Sequence, residues 1–360
     1  RTGTPGCEQA GQVRSVRADR EGNMGLGTAQ DGLVRIRRST FEHWTLGGAR
    51  RNVTSMVVDP ARGVWVALNC GGVLLVRDGR VVPHAVSEAL RGECVWSLAL
   101  DRRGQLWAGT WGGGLWRIDP DDPSGTVRRY GLSTGLRSNV VLALLPRRSG
   151  GMWVGTNTAG VALISGETVR SWGTAEGLPS DDVRSFAEDS LGRLWIGTQG
   201  GPAVLEESTV RVLGDGVERM TTPVRVVFLD PSGAVWFGTY GGGLLRWKNG
   251  QPARITTEQG LYDNIVSQFI VGPEGYAWMG CNRGIWKVAL QELNAAADGR
   301  VEQVTSIPYG AEDGLVTLET NGGFQPSGLR LPSGELWFPT PAGIARTDPV
   351  SLRANKTRPP

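Results

Sequence analysis

The sequence predicts an all-β protein, a β-propeller of eight four-stranded blades, and three observations carry that prediction. A short Trp-containing phrase recurs along the chain at intervals of 40, 42, 46, 42, 41, 42 and 59 residues. Inside each copy, apolar and β-branched residues alternate at period two between clusters of Gly, Asp, Pro and Ser, the mark of strands joined by tight turns. Helical periodicity is nearly absent, with only the weak VALQELNAAAD at 288–298 keeping a 3.6-residue spacing. Four short strands repeated every 40 to 45 residues or so is the arithmetic of a propeller blade. The long last interval also leaves room for a seven-bladed ring with one irregular unit.

The units follow in order. The first, DREGNMGLGTAQDGLVRI (19–36), carries Gly25 where the other seven carry Trp65, Trp107, Trp153, Trp195, Trp236, Trp278 and Trp337. Within a unit, strand a is a run such as VRSFAED (183–189), strand b is LWIGT (194–198), strand c is GLLRW (243–247) and strand d is VRSWGT (169–174). Strand a is expected innermost. An indole buries roughly 150–250 Å², so a Trp at one height in every blade reads as core between stacked sheets. The recurring Asp19, Asp59, Asp101, Asp189 and Asp230 read as turn residues accepting backbone N–H bonds two residues on, not as catalytic carboxylates. Unit 8 lacks an evident strand d, so residues 1–10 or the tail after Pro349 must supply it, or the blade stays three-stranded. The domain plan is a tail or closing strand at 1–11, one propeller over 12–350, and a linker at 351–360 leading to a further domain.

Composition excludes several functions. With 38 Lys and Arg against 35 Asp and Glu, the formal net charge is only +3. No basic run interleaves with aromatics, so nucleic acid is not an expected partner. No apolar stretch reaches the length of a membrane-spanning helix, and membrane attachment would come only through a segment outside this sequence. Cys7, Cys70, Cys94 and Cys281 lie in no CxxC spacing, which removes the common zinc patterns. All four fall toward one face, where a Cys70–Cys94 bridge and free buried thiols are the two alternatives. His43 and His84 fall on outer strands or their flanks, away from any nucleophile, and no phosphate loop, HExxH or nucleophile elbow is present. Asp119, Asp121 and Asp122 read as a solvated loop rather than a calcium site. No metal, cofactor or catalytic residue is expected.

Function is expected at the channel mouth, where the ends of strands b and the starts of strands a converge. After the b strands the units place Asn69, Trp111, Asn157, Gln199, Tyr240 and Asn282; near the a-strand starts they place Asn139, Asp182 and Arg184. Amides hydrogen-bond hydroxyls and aromatic faces pack on sugar rings, so these nine are candidates for a small polar ligand, with a saccharide as the favoured case. Arg14, Arg184 and Arg225 share a strand-a position and would favour an anion. The competing reading is that the asparagines only cap turns and strand starts.

The phrase EGLPSDDVRSFAEDSLGRLWIGTQGG (176–201), with TGLRSNVVLAL (134–144), QGLYDNIVSQF (259–269) and WAGTWGGGLWRID (107–119), resembles the two-component regulator propeller repeats. Such repeats occur in sensor regions of bacterial histidine kinases, hybrid kinases and diguanylate cyclases. The resemblance covers about 12–350. It implies a periplasmic or otherwise extracytoplasmic sensor domain of a membrane-anchored protein that binds a ligand, often a carbohydrate, and passes the signal inward. It also implies a homodimer formed through a C-terminal domain outside this sequence. No kinase, receiver or cyclase motif lies in these residues, so the segment itself is read as non-enzymatic. A protein–protein scaffold and a propeller lyase are the alternatives; such lyases depend on a catalytic His near a metal, which the outer placement of His43 and His84 does not offer.

Overall fold

The structure is a computed structural model that describes residues 12–18, 24–30, 32–36, 39–47, 51–122, 127–214 and 220–350. Eight antiparallel sheets form, as eight units require. Seven have four strands, and we number them as blades 1–7 over residues 53–82, 95–130, 141–172, 183–212, 224–255, 268–309 and 329–347. Units 2–8 thus become blades 1–7, and each blade is ordered a-b-c-d with the a strands adjoining one another around the centre.

The ring closes at seven, because seven buried clusters fill the seven gaps between neighbouring blades. The closing cluster joins Trp337 and Ile344 of blade 7 to Val53, Met56, Val64 and Val66 of blade 1. Among the described residues the eighth sheet, Val13–Ala18, Met24–Thr28 and Leu33–Ile36, has three strands and joins none of these clusters. Its first strand is exposed at every residue. Gly25 explains this: without the indole the unit has no large apolar body to bury against a neighbour.

Closure of blade 7 differs from expectation. Its fourth strand is Glu42–Trp44, with Ile344 opposite Trp44 and Ala345 opposite His43. The residues expected to supply it, 1–10 and the tail after Pro349, lie outside the described residues apart from Val350, as do Cys7 and Asp19. The reason follows from Gly25. A first unit that cannot pack as a blade leaves its last strand free to pair with an edge that would otherwise expose backbone groups.

The seven tryptophans are all buried. Trp65, Trp107, Trp195 and Trp236 each donate Nε1–H to the turn aspartate six residues earlier, at 2.9, 3.0, 3.0 and 3.3 Å. The other oxygen of the same carboxylate takes turn N–H groups, as Asp101 does from Arg103 at 2.8 Å. Trp278 uses Glu274 instead, at 2.5 Å. Trp153 and Trp337 have Arg147 and Leu331 at that place, and their buried indole N–H groups have no partner among the described residues.

The repeated Gly-Thr also has a physical role. The hydroxyls of Thr110, Thr156, Thr198, Thr239 and Thr340 donate to the carbonyl of the glycine that opens strand c, at 2.7–3.0 Å. Gly201 shows why that residue must be glycine: its φ is +116°, and a Cβ there would lie 1.9 Å from the Met220 carbonyl oxygen. In blade 6 Cys281 stands in the threonine's place, its Sγ 3.7 Å from the Gly284 oxygen.

The long last interval has two sources. The weakly periodic stretch forms a helix, Leu290–Ala297, between strands c and d of blade 6. The remainder, residues 320–328, leaves the rim and crosses the central channel. Gln325 N donates to Leu142 O (3.0 Å) and its side-chain Nε2 to Phe186 O (3.0 Å). Ser55 Oγ donates to Pro326 O (2.7 Å), and Gln268 Nε2 donates to Asn321 O. Blades 1, 3, 4 and 6 therefore all hold this segment, and the channel is not an open tube.

Candidate functional site

At the mouth where b strands end and a strands begin, the crossing segment forms a floor and side chains of blades 2–5 form walls. On one side Trp111, 48% exposed, lies 5.0 Å from Trp96, and Trp96 meets Phe324 of the floor edge-on at 5.1 Å. On the other side Tyr240, 49% exposed, carries the Arg225 guanidinium 4.9 Å from its ring centre. Both aromatics are fixed by their backbones: Trp111 N donates to Cys94 O (2.9 Å) and Tyr240 N to Pro223 O (2.8 Å). Trp111 and Tyr240 are the two aromatic residues among the exposed large hydrophobics of the described residues.

Between them the structure gathers Asn157, Asp182 and Arg184. Arg184 pairs with Asp182 through two hydrogen bonds, Nε to Oδ1 at 2.5 Å and Nη2 to Oδ2 at 2.6 Å, and its Nη1 approaches the Gly323 oxygen at 3.5 Å. Asn157 Nδ2 donates to Asp182 Oδ2 at 3.3 Å. Asp182 therefore neutralises Arg184, whereas Arg225 has no hydrogen bond or ion pair among the described residues. Burial first, and then the nearby charge of Arg184, lower the Arg225 pKa from its ordinary value.

Of the remaining candidates, Gln199 borders this group and Asn69, Asn282 and Asn139 do not. Gln199 offers an exposed side chain while its N donates to Asp182 O (2.9 Å). Asn69 and Asn282 are exposed on the rims of blades 1 and 6. Asn139 is a cap: its Oδ1 accepts from Leu132 N, seven residues back, at 3.3 Å. Asn264 does the same for Thr257 N at 2.9 Å, and Asp181 for Thr174 N at 2.7 Å. The residue equivalent to Asn139 in blade 4 is therefore Asp181, one place before Asp182. Arg14 sits on the exposed strand of the eighth sheet and does not share the mouth with Arg184 and Arg225.

Cys70 and Cys94 form a disulfide that ties the b–c turn of blade 1 to the start of strand a in blade 2. Cys281 is a free, buried thiol whose pKa burial pushes up to about 12. His43 lies on the outermost strand of blade 7 with Nε2 3.0 Å from Ala342 O. His84 caps the short helix Ala85–Ala89 and meets Trp65 edge-on at 4.9 Å. Asp121 pairs with Arg62.

Sequence reasoning missed Trp96 and the floor residues Gly323, Phe324 and Gln325. Trp96 was legible in principle, because it occupies the strand-a place of Arg184 and Arg225. The floor had one signal, the unit interval of 59 residues.

The two component regulator propeller family matches this chain at residues 89–112, 135–158 and 177–200. A search of the curated proteins gives no match. Among solved structures, the extracellular domain of a hybrid two component system from B. thetaiotaomicron is similar over 94% of this chain, with TM-score 0.74 and 20% identity. The match covers 45% of that chain, so this sequence spans less than half its length. Virginiamycin B lyase from Staphylococcus aureus matches 85% of this chain and 98% of its own, with TM-score 0.63 and 12% identity. YCF48 bound to D1 peptide covers 90% of this chain and 99% of its own, with TM-score 0.59 and 11% identity. At these identities the likeness is one of fold.

Proposed function

Because three segments of the chain match the two component regulator propeller family, we propose that it is the extracytoplasmic sensing propeller of a bacterial signal-transduction protein and that its mouth binds a small polar ligand. The observation that carries the reading is the floored bowl: half-exposed Trp111 and Tyr240 face a channel that residues 320–328 close. A saccharide suits it, since aromatic faces take the apolar face of a sugar while Asn157, Gln199 and the Asp182–Arg184 pair meet hydroxyls. The Cys70–Cys94 disulfide agrees with an oxidising compartment, and the similar B. thetaiotaomicron domain is extracellular. Output would lie in other domains of a longer protein.

The test is calorimetric titration with a panel of mono- and oligosaccharides, on the wild type and on the double variant Trp111→Ala/Tyr240→Ala. Binding that weakens at least about tenfold in the variant, with melting unchanged, supports the mouth. Equal binding by both proteins places the ligand elsewhere, and product formation would turn the reading toward a lyase.

A further inference from the structure

Arg184 is paired with Asp182, whereas Arg225 beside it has no hydrogen bond or ion pair among the described residues. Its chain lies against Gly323, where an added Cβ would come within 2.9 Å of Arg225 Cδ and 3.2 Å of Nη1; the φ of +81° there favours glycine as well. Arg225 lines a cavity of about 140 Å³ between the crossing segment and the inner strands of blades 4–6, together with Ser185, Phe269, Phe324, Gln325 and Ser327. Ser185 is 1% exposed, and its hydroxyl has no hydrogen-bond partner among the described residues. Its hydroxyl lies over Gly197, where an added Cβ would come within 2.5 Å of it, and Ser185 lines the cavity from the blade 4 side. A half-buried cation with no hydrogen-bond partner among the described residues and a buried hydroxyl thus stand beside one cavity. One oxyanion satisfies both.

We propose that this cavity is a subsite for an anionic oxygen group, a carboxylate or sulfate, bound by Arg225 with Ser185 as a second donor. The proposal rests on the reading that the mouth takes a ligand, and it makes that ligand acidic. A guanidinium matches planar and tetrahedral oxyanions through charge-assisted hydrogen bonds. Tyr240, already stacked under Arg225, would hold the group that carries the anion. On a saccharide that anion is a uronate or sulfate ester; the same chemistry is met by a free small acid.

The experiment is calorimetric titration at constant ionic strength, set with NaCl, using sodium glucuronate, sodium acetate, sodium sulfate and glucose. Glucuronate or sulfate is expected to bind, and Arg225→Met to weaken that binding about tenfold or more with little change in melting temperature, because the guanidinium has no hydrogen bond or ion pair to lose among the described residues and only its contact with the Tyr240 ring goes with it. Ser185→Ala is expected to weaken it by a smaller factor, about two- to fivefold, and serves as the second variant should Arg225→Met fold poorly. Glucuronate binding well above acetate puts the anion on a sugar; equal binding of acetate and glucuronate means a free acid, with the subsite intact. If glucose binds and no anion exceeds chloride, the subsite is overturned while the saccharide mouth stands. Anion binding that survives both variants overturns the subsite as well.

Discussion

The carboxylate of Asp59 holds the indole N–H of Trp65 at 2.9 Å, across a turn and inside the core between two blades. The same bond recurs from Asp101 to Trp107, Asp189 to Trp195 and Asp230 to Trp236. One short side chain thus fixes both the a–b turn and the orientation of the largest core residue.

Blade 3 lacks this bond, which makes it a place to gain stability. Arg147 stands where the aspartate would be, and its N already donates to Gly151 O at 3.0 Å, as Asp101 N does to Gln105 O. Arg147→Asp should supply the acceptor Trp153 lacks. After the loss of the Arg147 contact with the Trp153 ring, the gain should be about 0.5–1.5 kcal/mol. Urea unfolding of the two proteins measures it, and an equal or lower midpoint for the variant would contradict the role assigned to the aspartates.

Acid should weaken the fold through the same groups. Burial alone would raise the pKa of Asp59, Asp189 and Asp230, but hydrogen bonds from indole, arginine, asparagine and backbone donors outweigh it and hold all three below the ordinary aspartate value. A depressed folded-state pKa gives stability that is complete above the unfolded pKa and lost as pH falls through the folded one. Melting temperature should therefore be level from pH 7 to about 5 with respect to these groups, then fall below about pH 4. Asp189→Asn should be less stable at pH 7 and show a shallower acid decline. An equally steep decline would assign the acid response to other carboxylates.

The floor should be structural as well as a boundary of the site. Gln325 pairs with both the N–H and the carbonyl of Phe186. Gln325→Ala leaves both buried groups unpaired, so a loss of about 2–4 kcal/mol is expected. Chemical denaturation reads it directly; a loss under about 0.5 kcal/mol would mean that the crossing segment is not held by the blades.

The cysteines should behave as two classes. The Cys70–Cys94 bridge closes a loop with a sequence separation of 24, so Cys70→Ser/Cys94→Ser should cost about 3 kcal/mol. Cys281 should resist alkylation until the protein unfolds, and Cys281→Thr, which restores the hydroxyl found in five other blades, should be neutral or stabilising. Rapid native alkylation of Cys281 would contradict its burial.

The repeat made most of this fold legible. Period-two strands, a Trp at fixed phase and Gly-Thr turns are local signals, and each unit repeats them. What the repeat could not show was the exception. Closure by Glu42–Trp44 depends on Gly25 having removed a unit from the ring, a relation between distant residues. The aspartate–indole bond was visible as a constant six-residue spacing, yet a turn alone accounted for the aspartates equally well. At the site, Trp111, Tyr240, Asp182 and Arg184 followed from position in the unit, whereas Asn139 proved to be a cap because an amide serves a turn and a ligand with the same atoms. The floor lies outside the repeat, and its one trace in the sequence was the 59-residue unit interval.

The central claim, that ligand enters the floored mouth, is tested most directly by hydrogen–deuterium exchange with and without a saturating ligand from the titrations. The account predicts slowed exchange in peptides covering 94–96, 110–112, 182–185, 224–226 and 320–326, with the outer d strands unchanged. Protection confined to the outer strands or to the eighth sheet, with 320–326 unaffected, would contradict it.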